Sequence, residues 1–391
     1  MTVSAIICEL NPLHNGHQYI MDRAKELSGK GPLICLMSGN YVQRGEPAAF
    51  SKWSRTRAAL SCGADLVLEL PTLYAASSAQ YFAAGAIAIL SSLGVVDNLY
   101  FGIEADTYRE VEDYVAKRMS DENKFFEEIR KKMETGNAYC KTAAISPNPG
   151  SNNILAAEYL CALTRSGCSI KAIPIARQGN GSHHETATAI RNHLLRTGTV
   201  PAHLLPDKAA KIFQHEIETG GGPANGNFYE NLLLGLLRLC STQQLSQLPF
   251  IREGLEYKIA KEARLHGTIR EITNACTSRR YPRSRIKRIL LSLLTGVTAD
   301  QLQRYHDTPP YIKALGWNST GRELFRTISR QTSLPVFAQA AEGLRSLSGS
   351  AREILENEIR ATDLYVLGLP ALSLRIGNRE LTEEIVTVTS S

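Results

Sequence analysis

Nowhere in this sequence do apolar residues run on long enough to cross a bilayer, since a membrane-spanning helix needs about 20 of them in succession. The opening stretch, MTVSAIICELNP, has no basic residue ahead of its short apolar run. That excludes the pattern of a secretory signal peptide and leaves a first β-strand, so a cytoplasmic protein is expected. The cysteines (Cys8, Cys35, Cys62, Cys140, Cys161, Cys168, Cys240 and Cys276) never form a Cys-x-x-Cys pair. Most lie in apolar segments, which points to buried thiols in a reducing compartment rather than to a metal cage or a disulfide framework. Fixed-period repeats and low-complexity tails are also lacking. What remains is an ordinary globular composition, 43% hydrophobic and 21% charged over 391 residues. Two or three domains, each with its own core, are the expectation for that length.

The net charge of +6 is unevenly placed. Residues 252–313 carry 13 Lys and Arg against 6 Asp and Glu, whereas residues 1–70 carry 7 against 6. One late segment thus holds the whole excess, and a local excess implies an anionic partner more strongly than a diffuse one does.

Along the first half, β-branched apolar runs alternate with helix-spaced segments. Strands are expected at Val3–Glu9, Leu33–Met37, Asp65–Leu70, Asn98–Ile103 and Ser169–Ile175, with helices between them. That alternation predicts an α/β fold with a parallel, doubly wound, Rossmann-like sheet. Past Pro201 the strand signals nearly vanish, and residues 208–306 read as helices. A mixed piece follows Pro309, with a strand at Tyr311–Trp317 and a long helix over Ala351–Leu367. A boundary near residue 200 is expected, with 1–200 as the nucleotide-binding domain and 201–391 as a mainly helical one.

The first strand runs into Asn11-Pro12-Leu13-His14-Asn15-Gly16-His17. A strand end, a tight turn and a helix start make an anion site, because the first helical amides point at the turn. Gly16 lets a nucleotide approach the backbone. His14 and His17, three apart, share one side of the first helical turn. Imidazole donors there can hold phosphate oxygens and stabilise charge developing at an α-phosphorus. The second strand leads into Gly39, Asn40, Tyr41, Val42, Gln43, Arg44, Gly45 and Glu46, a loop at a strand's carboxyl end, where open α/β sheets bind ligands. Gln43 and Arg44 are candidate phosphate or substrate contacts, as is Lys52 at the head of the next helix, with Arg55 after it. Thr186-Ala187-Thr188-Ala189-Ile190-Arg191 opens a later helix, and Thr188 and Arg191 are candidates of the same kind.

His14-Asn15-Gly16-His17 resembles the HxGH signature of nucleotidyltransferases and class I aminoacyl-tRNA synthetases. The segment ending at Arg191 resembles their SSTxIR motif, without its serine pair. With residues 36–71 (SGN-x-x-QRGEP above all), 99–104, 152–160 and 177–191, the sequence resembles the bacterial tRNA(Met) cytidine acetate ligase family. The resemblance spans the chain and is densest over the first 200 residues. It implies activation of acetate by ATP to acetyl-adenylate, then acetylation of the wobble cytidine's exocyclic amine in elongator tRNA(Met). It also implies the ATP contacts: Ile7, Cys8, Glu9, Leu10, Asn11, Pro12, Leu13, His14, Asn15, Gly16, His17, Gln18, Tyr19 and Ile20, then Gly102, Asn152 and Arg177. His14 and His17 are the catalytic pair. Magnesium is expected on charge grounds, and no ligands for it are identified.

Arg279, Arg280, Arg283, Arg285, Lys287 and Arg288 form a tight basic cluster around Tyr281. Arginine suits phosphate, and several such contacts make binding salt-dependent. Standing far along the chain from the ATP motifs, the cluster is expected to bind tRNA and take no part in adenylation. Two other functions compete with this one. A small-molecule adenylyltransferase needs little beyond the sheet domain, and a non-catalytic module would not need His14, Gly16 and His17 together. No second nucleotide signature stands in the chain, so no coenzyme A thioester is expected.

Overall fold

The computed structural model describes residues 1–104, 107–134, 145, 150–176, 183–225 and 228–389; side chains are not described at 132–134, 151 and 183–186. The strands are β1 (Ser4–Cys8), β2 (Leu33–Ser38), β3 (Tyr41–Val42), β4 (Glu46–Pro47), β5 (Leu66–Leu70), β6 (Asn98–Ile103), β7 (Lys171–Ala176), β8 (Ile312–Trp317), β9 (Val336–Phe337) and β10 (Val386–Thr387). One sheet runs in the order β10-β8-β5-β2-β1-β6-β7, with β9 paired to β8. Its pairings are parallel except for β5 with β8. The five strands expected in the first half are all present.

Both faces of the sheet are covered. Along β1, β2 and β5, alternate residues enter different cores: Ala5, Ile34, Leu36, Leu66 and Leu68 on one side, Ile6, Cys8, Cys35, Met37 and Val67 on the other. The helices Ala79–Ser92 and Ser151–Ser166 supply the first core, and Lys52–Ser61, His183–Thr197 and Asp207–Glu218 the second. Burial on both faces is why these strands read as continuous apolar runs and not as alternating ones. From β1 the chain passes to β2 and β5 on one side and to β6 and β7 on the other. The carboxyl end of β1, beside β6, is therefore the point where strand order reverses, and ligands of such sheets bind there.

Beyond residue 200 the chain is helical from Asp207 to Arg304. Tyr229, Leu233, Leu237, Ile259, Ile272, Ile286, Ile289, Leu290 and Tyr365 form a separate helical core. The chain then returns to the sheet, so the sheet is not confined to the first 200 residues. β8 pairs antiparallel with β5, Leu66 opposite Trp317, and covers an edge that would otherwise present unpaired backbone groups.

A buried charge network locks this return. Lys313 on β8 donates to Glu69 on β5 at 2.8 Å and pairs with Glu380; Lys52 reaches Glu69 at 2.5 Å and Glu380 at 2.7 Å. All four side chains are within 4% of full burial. Glu380 also accepts from Thr362 Oγ1 at 2.5 Å, and Thr362 accepts from Asn40 Nδ2 at 3.1 Å. Burying one charge alone would cost several kcal/mol, so lysines and glutamates in matched numbers are what permit the arrangement. Burial pushes the Glu69 pKa up, but Lys313 and Lys52 outweigh it and bring it down to about 2.

Candidate active site

The turn after β1 is shaped by Leu10, a buried residue with φ of 47°, which swings the chain toward the first helix, Asn15–Leu27. His14 is that helix's N-cap. Its Nδ1 accepts from the Gly16 N–H at 3.0 Å, and His17 Nδ1 accepts from the His14 N–H at 3.3 Å. This is a capping box built from two imidazoles. With Nδ1 of each ring an acceptor, each neutral imidazole carries its proton on Nε2. The rings lie 4.0 Å apart between centroids. The bonds that start the helix thus also fix the tautomers as Nε2 donors.

Both histidines line a cavity of about 590 Å³ at the carboxyl end of β1. Its floor is Ile6, Ile7, Cys8 and Glu9, and one side is Tyr100, Phe101 and Gly102 of β6. The helix Ser151–Ser166 adds Asn152, Leu155 and Tyr159, spaced as one helical face. Arg191 reaches in from His183–Thr197, where its guanidinium donates to the Asn11 carbonyl at 2.8 Å and to Thr188 Oγ1 at 3.2 Å. The β3–β4 hairpin supplies Val42, Gln43, Arg44 and Glu46. Among the described lining residues are five cationic side chains (Arg44, Arg191, Arg283, Lys287 and Arg288) against the carboxylates Glu9 and Glu46. That surplus of three suits a polyanion.

The basic cluster is divided between two places. Arg283, Lys287 and Arg288, with Ser284, form one face at the start of the helix Arg283–Thr295 and line this same cavity. Distance along the chain was no guide, because the helix docks on the hairpin. A Cβ at Gly45, whose φ is 75°, would stand 2.7–2.9 Å from backbone atoms of Lys287 and Arg288. Lys287 also forms an ion pair with Glu46. The other members point elsewhere. Arg285 donates to the Phe250 carbonyl from Nε at 3.0 Å and lies over the Tyr281 ring at 4.7 Å. Arg280 pairs with Glu253 at 2.7 Å, and Arg279 is exposed.

Other expected contacts divide as well. Ile7, Cys8, Glu9, Asn11, His14, His17, Ile20, Gln43, Arg44, Gly102, Asn152 and Arg191 line the cavity. Leu10 and Leu13 are fully buried core residues, and Pro12 is buried beside them. Asn15 donates to the His203 carbonyl at 3.1 Å, and Gln18 donates to Asp22 at 2.7 Å and to the Cys62 carbonyl at 2.9 Å. Tyr19 packs on the second core. Gly16 serves the cap, and Thr188 holds Arg191 in place. Lys52 is not a phosphate contact; it is consumed by the buried network. Arg177 lies outside the described residues.

Arg55, buried on the helix Lys52–Ser61, donates to the carbonyls of Glu9 at 2.6 Å, Ser38 at 3.1 Å and Phe50 at 3.0 Å, and to that of Gly39. It ties together the ends of β1 and β2, on which the site stands. Sequence reading missed Leu155 and Tyr159, although their spacing from Asn152 placed them on its helical face. It also missed the shared wall of Lys287 and Arg288, for which no local signal exists.

A parallel sheet with its anion site at the β1 switch point, and an HxGH capping box facing a cationic cavity, define a nucleotidyltransferase of the HIGH type. The family described as HIGH Nucleotidyl Transferase matches residues 1–380. The tRNA(Met) cytidine acetate ligase of Acetivibrio thermocellus is 35% identical, over 99% of this chain and 100% of that protein. The enzyme of the same name from Thermoanaerobacter sp. is 34% identical, over 94% and 95%. The crystal structure of Thermotoga maritima TmcAL bound with alpha-thio ATP superposes with a TM-score of 0.91 at 27% identity, covering 100% of both chains. The chain belongs to the tRNA(Met) cytidine acetate ligase family.

Proposed function

We propose that this protein joins acetate to the exocyclic amine of the wobble cytidine in elongator tRNA(Met), giving N4-acetylcytidine, at the cost of ATP cleaved to AMP and pyrophosphate. One observation supports it most directly. A single cavity brings together the imidazole pair, the switch point and a basic wall from the helical part of the chain, in a family whose relatives are named tRNA(Met) cytidine acetate ligase. A small-molecule adenylyltransferase would not need the further helical residues that carry exposed Arg279 and Arg280.

The chemistry follows from leaving groups. Acetate is a poor acyl donor because oxide is a poor leaving group. A carboxylate oxygen attacks the α-phosphorus, the bond to the bridging oxygen breaks, and pyrophosphate departs. His14 and His17 present Nε2 donors and helix-start amides to the phosphates, where negative charge gathers in the transition state. The cytidine amine then attacks the acetyl carbon and AMP leaves. Magnesium would accompany ATP and neutralise phosphate charge. Among the described residues no group of three His, Cys, Asp or Glu side chains gathers to cage a metal.

Within this reading, residues 1–200 supply the ATP-binding catalytic unit, and the later helical part supplies the tRNA contacts, exposed Arg279, Arg280 and Arg283 first among them. The work is cytoplasmic, where tRNA is modified, and no helix among the described residues is long and apolar enough to cross a membrane. The test is incubation with ATP, labelled acetate and total tRNA, followed by nucleoside analysis. Acetylcytidine with one AMP released per acetyl is the expected product. Activity with acetyl-coenzyme A but not with acetate and ATP would overturn the assignment.

A further inference from the structure

We propose that Glu9 is the base of the second step: its carboxylate receives the hydrogen bond of the cytidine's exocyclic amine and takes the amine's proton as the acetyl group arrives. This rests on the ligase reading above.

Four observations converge on Glu9. It directly follows β1, at the switch point, on the floor of the cavity that His14 and His17 line. It is enclosed by protein yet keeps part of its surface open to the cavity. Its backbone is pinned by Arg55 at 2.6 Å, and one carboxylate oxygen accepts the Gln43 N–H at 2.8 Å. A carboxylate has two oxygens and about four lone-pair sites, so that single described bond leaves acceptor capacity toward the cavity. The cavity's other carboxylate is differently engaged, since Glu46 is tied to Lys287. No ion pair with a described Lys or Arg holds Glu9.

The chemistry requires such a group. A cytosine is recognised at its N4 amine by a carboxylate acceptor. As N4 forms its bond to the acetyl carbon, the carbon–oxygen bond to the phosphate breaks and AMP leaves with the electron pair. The nitrogen must then shed one proton. Glu9 takes it and afterwards returns it to solvent, so no further reactant is needed. Burial holds the Glu9 carboxyl above the ordinary carboxylate range, with the Gln43 N–H and the charges of Arg191, Arg44 and Arg55 pulling the other way. Cys8, Tyr159, His14 and His17 also line the cavity with it. A carboxyl raised in this way is a stronger base near neutral pH than an exposed glutamate is.

The test separates the two half-reactions. Glu9→Gln keeps an oxygen for the Gln43 N–H but cannot accept a proton. Acetate-dependent ATP–pyrophosphate exchange without tRNA is read on the same variant and should fall by much less than transfer does, because Glu9 lines the ATP cavity but neither gives up nor takes a proton in adenylation. Single-turnover transfer of acetyl to tRNA should fall about 10²- to 10⁴-fold, the usual range for a lost general base. The rise of wild-type transfer with pH should vanish in this variant. Glu9→Asp, with a carboxylate drawn back by one methylene, should retain a rise with pH at a reduced rate. Wild-type transfer by Glu9→Gln would overturn the proposal. Exchange lost in step with transfer would also overturn it, by placing Glu9 in the adenylation step. A wild-type protein that exchanges pyrophosphate but acetylates no tRNA would instead refute the ligase reading itself.

Discussion

Replacing His14 perturbs two things at once, and the structure allows them to be separated. His14→Ala removes the acceptor for the Gly16 N–H, a 3.0 Å bond at a buried N-cap. Losing such a cap costs about 1 kcal/mol of stability, within a range of roughly 0.5–2. It also removes a donor at the phosphates, and losing one such donor costs on the order of 3 kcal/mol in the transition state, or about 10²-fold in rate. His14→Asn divides the two effects. Asparagine is among the best N-cap residues, so the side-chain oxygen should recover the cap and the stability with it. It places no donor where Nε2 stood, so the rate should stay low. The same logic holds one turn on. His17→Gln puts the residue type of an ordinary capping box at that position and should keep the bond now made to the His14 N–H at 3.3 Å, while exchange falls. The assays are acetate-dependent pyrophosphate exchange and the urea midpoint on the same preparations. If His14→Asn exchanges at the wild-type rate, the imidazoles are caps and nothing more.

The basic cluster should behave as two groups: Arg279→Ala with Arg280→Ala should weaken tRNA binding and flatten its salt dependence, by about one unit of log–log slope per lost phosphate contact, and leave exchange without tRNA unchanged. Lys287→Ala with Arg288→Ala, on the cavity wall, should lower both, and a loss confined to tRNA binding would place ATP clear of that wall. Gly45→Ala forces a Cβ to within 2.7 Å of the Lys287 backbone at a φ of 75°, so the hairpin should lift from the helix; the expected result is a loss of more than about 1 kcal/mol in urea stability, and an unchanged midpoint would show that the two elements dock loosely. Glu358, which accepts from the Thr72 N–H at 2.5 Å, has its pKa raised to about 7 by burial and by the charge of Glu69. The folded state then binds more protons than the unfolded state between the ordinary glutamate pKa and about 7, so stability should fall as pH rises across that window. Glu358→Gln should remove that slope in urea melts between pH 5 and pH 7.5, and an unaltered slope would assign it to another group.

Local chemistry in the sequence determined the first half of the molecule. Apolar β-branched runs bounded by glycine and proline made β1, β2, β5, β6 and β7 legible, because strands buried on both faces need no distant partner to be recognised as strands. The turn into the first helix was legible for a similar reason: His14, Gly16 and His17 act within one helical turn, over bonds that span two or three residues. Only the tertiary structure decided the rest. Lys52 reads as a free cation until Glu69, Lys313 and Glu380 arrive from three other elements to bury it. Arg283, Lys287 and Arg288 read as remote from the first strand's turn until Gly45 lets their helix settle on the hairpin and turn that face into the cavity. In each case the deciding contact joins residues more than ten positions apart, and at Lys287 and Glu46 they are 241 apart. Spacing along the chain reports neighbours along a helix or strand; charge pairing and backbone docking across such separations depend on how the elements pack.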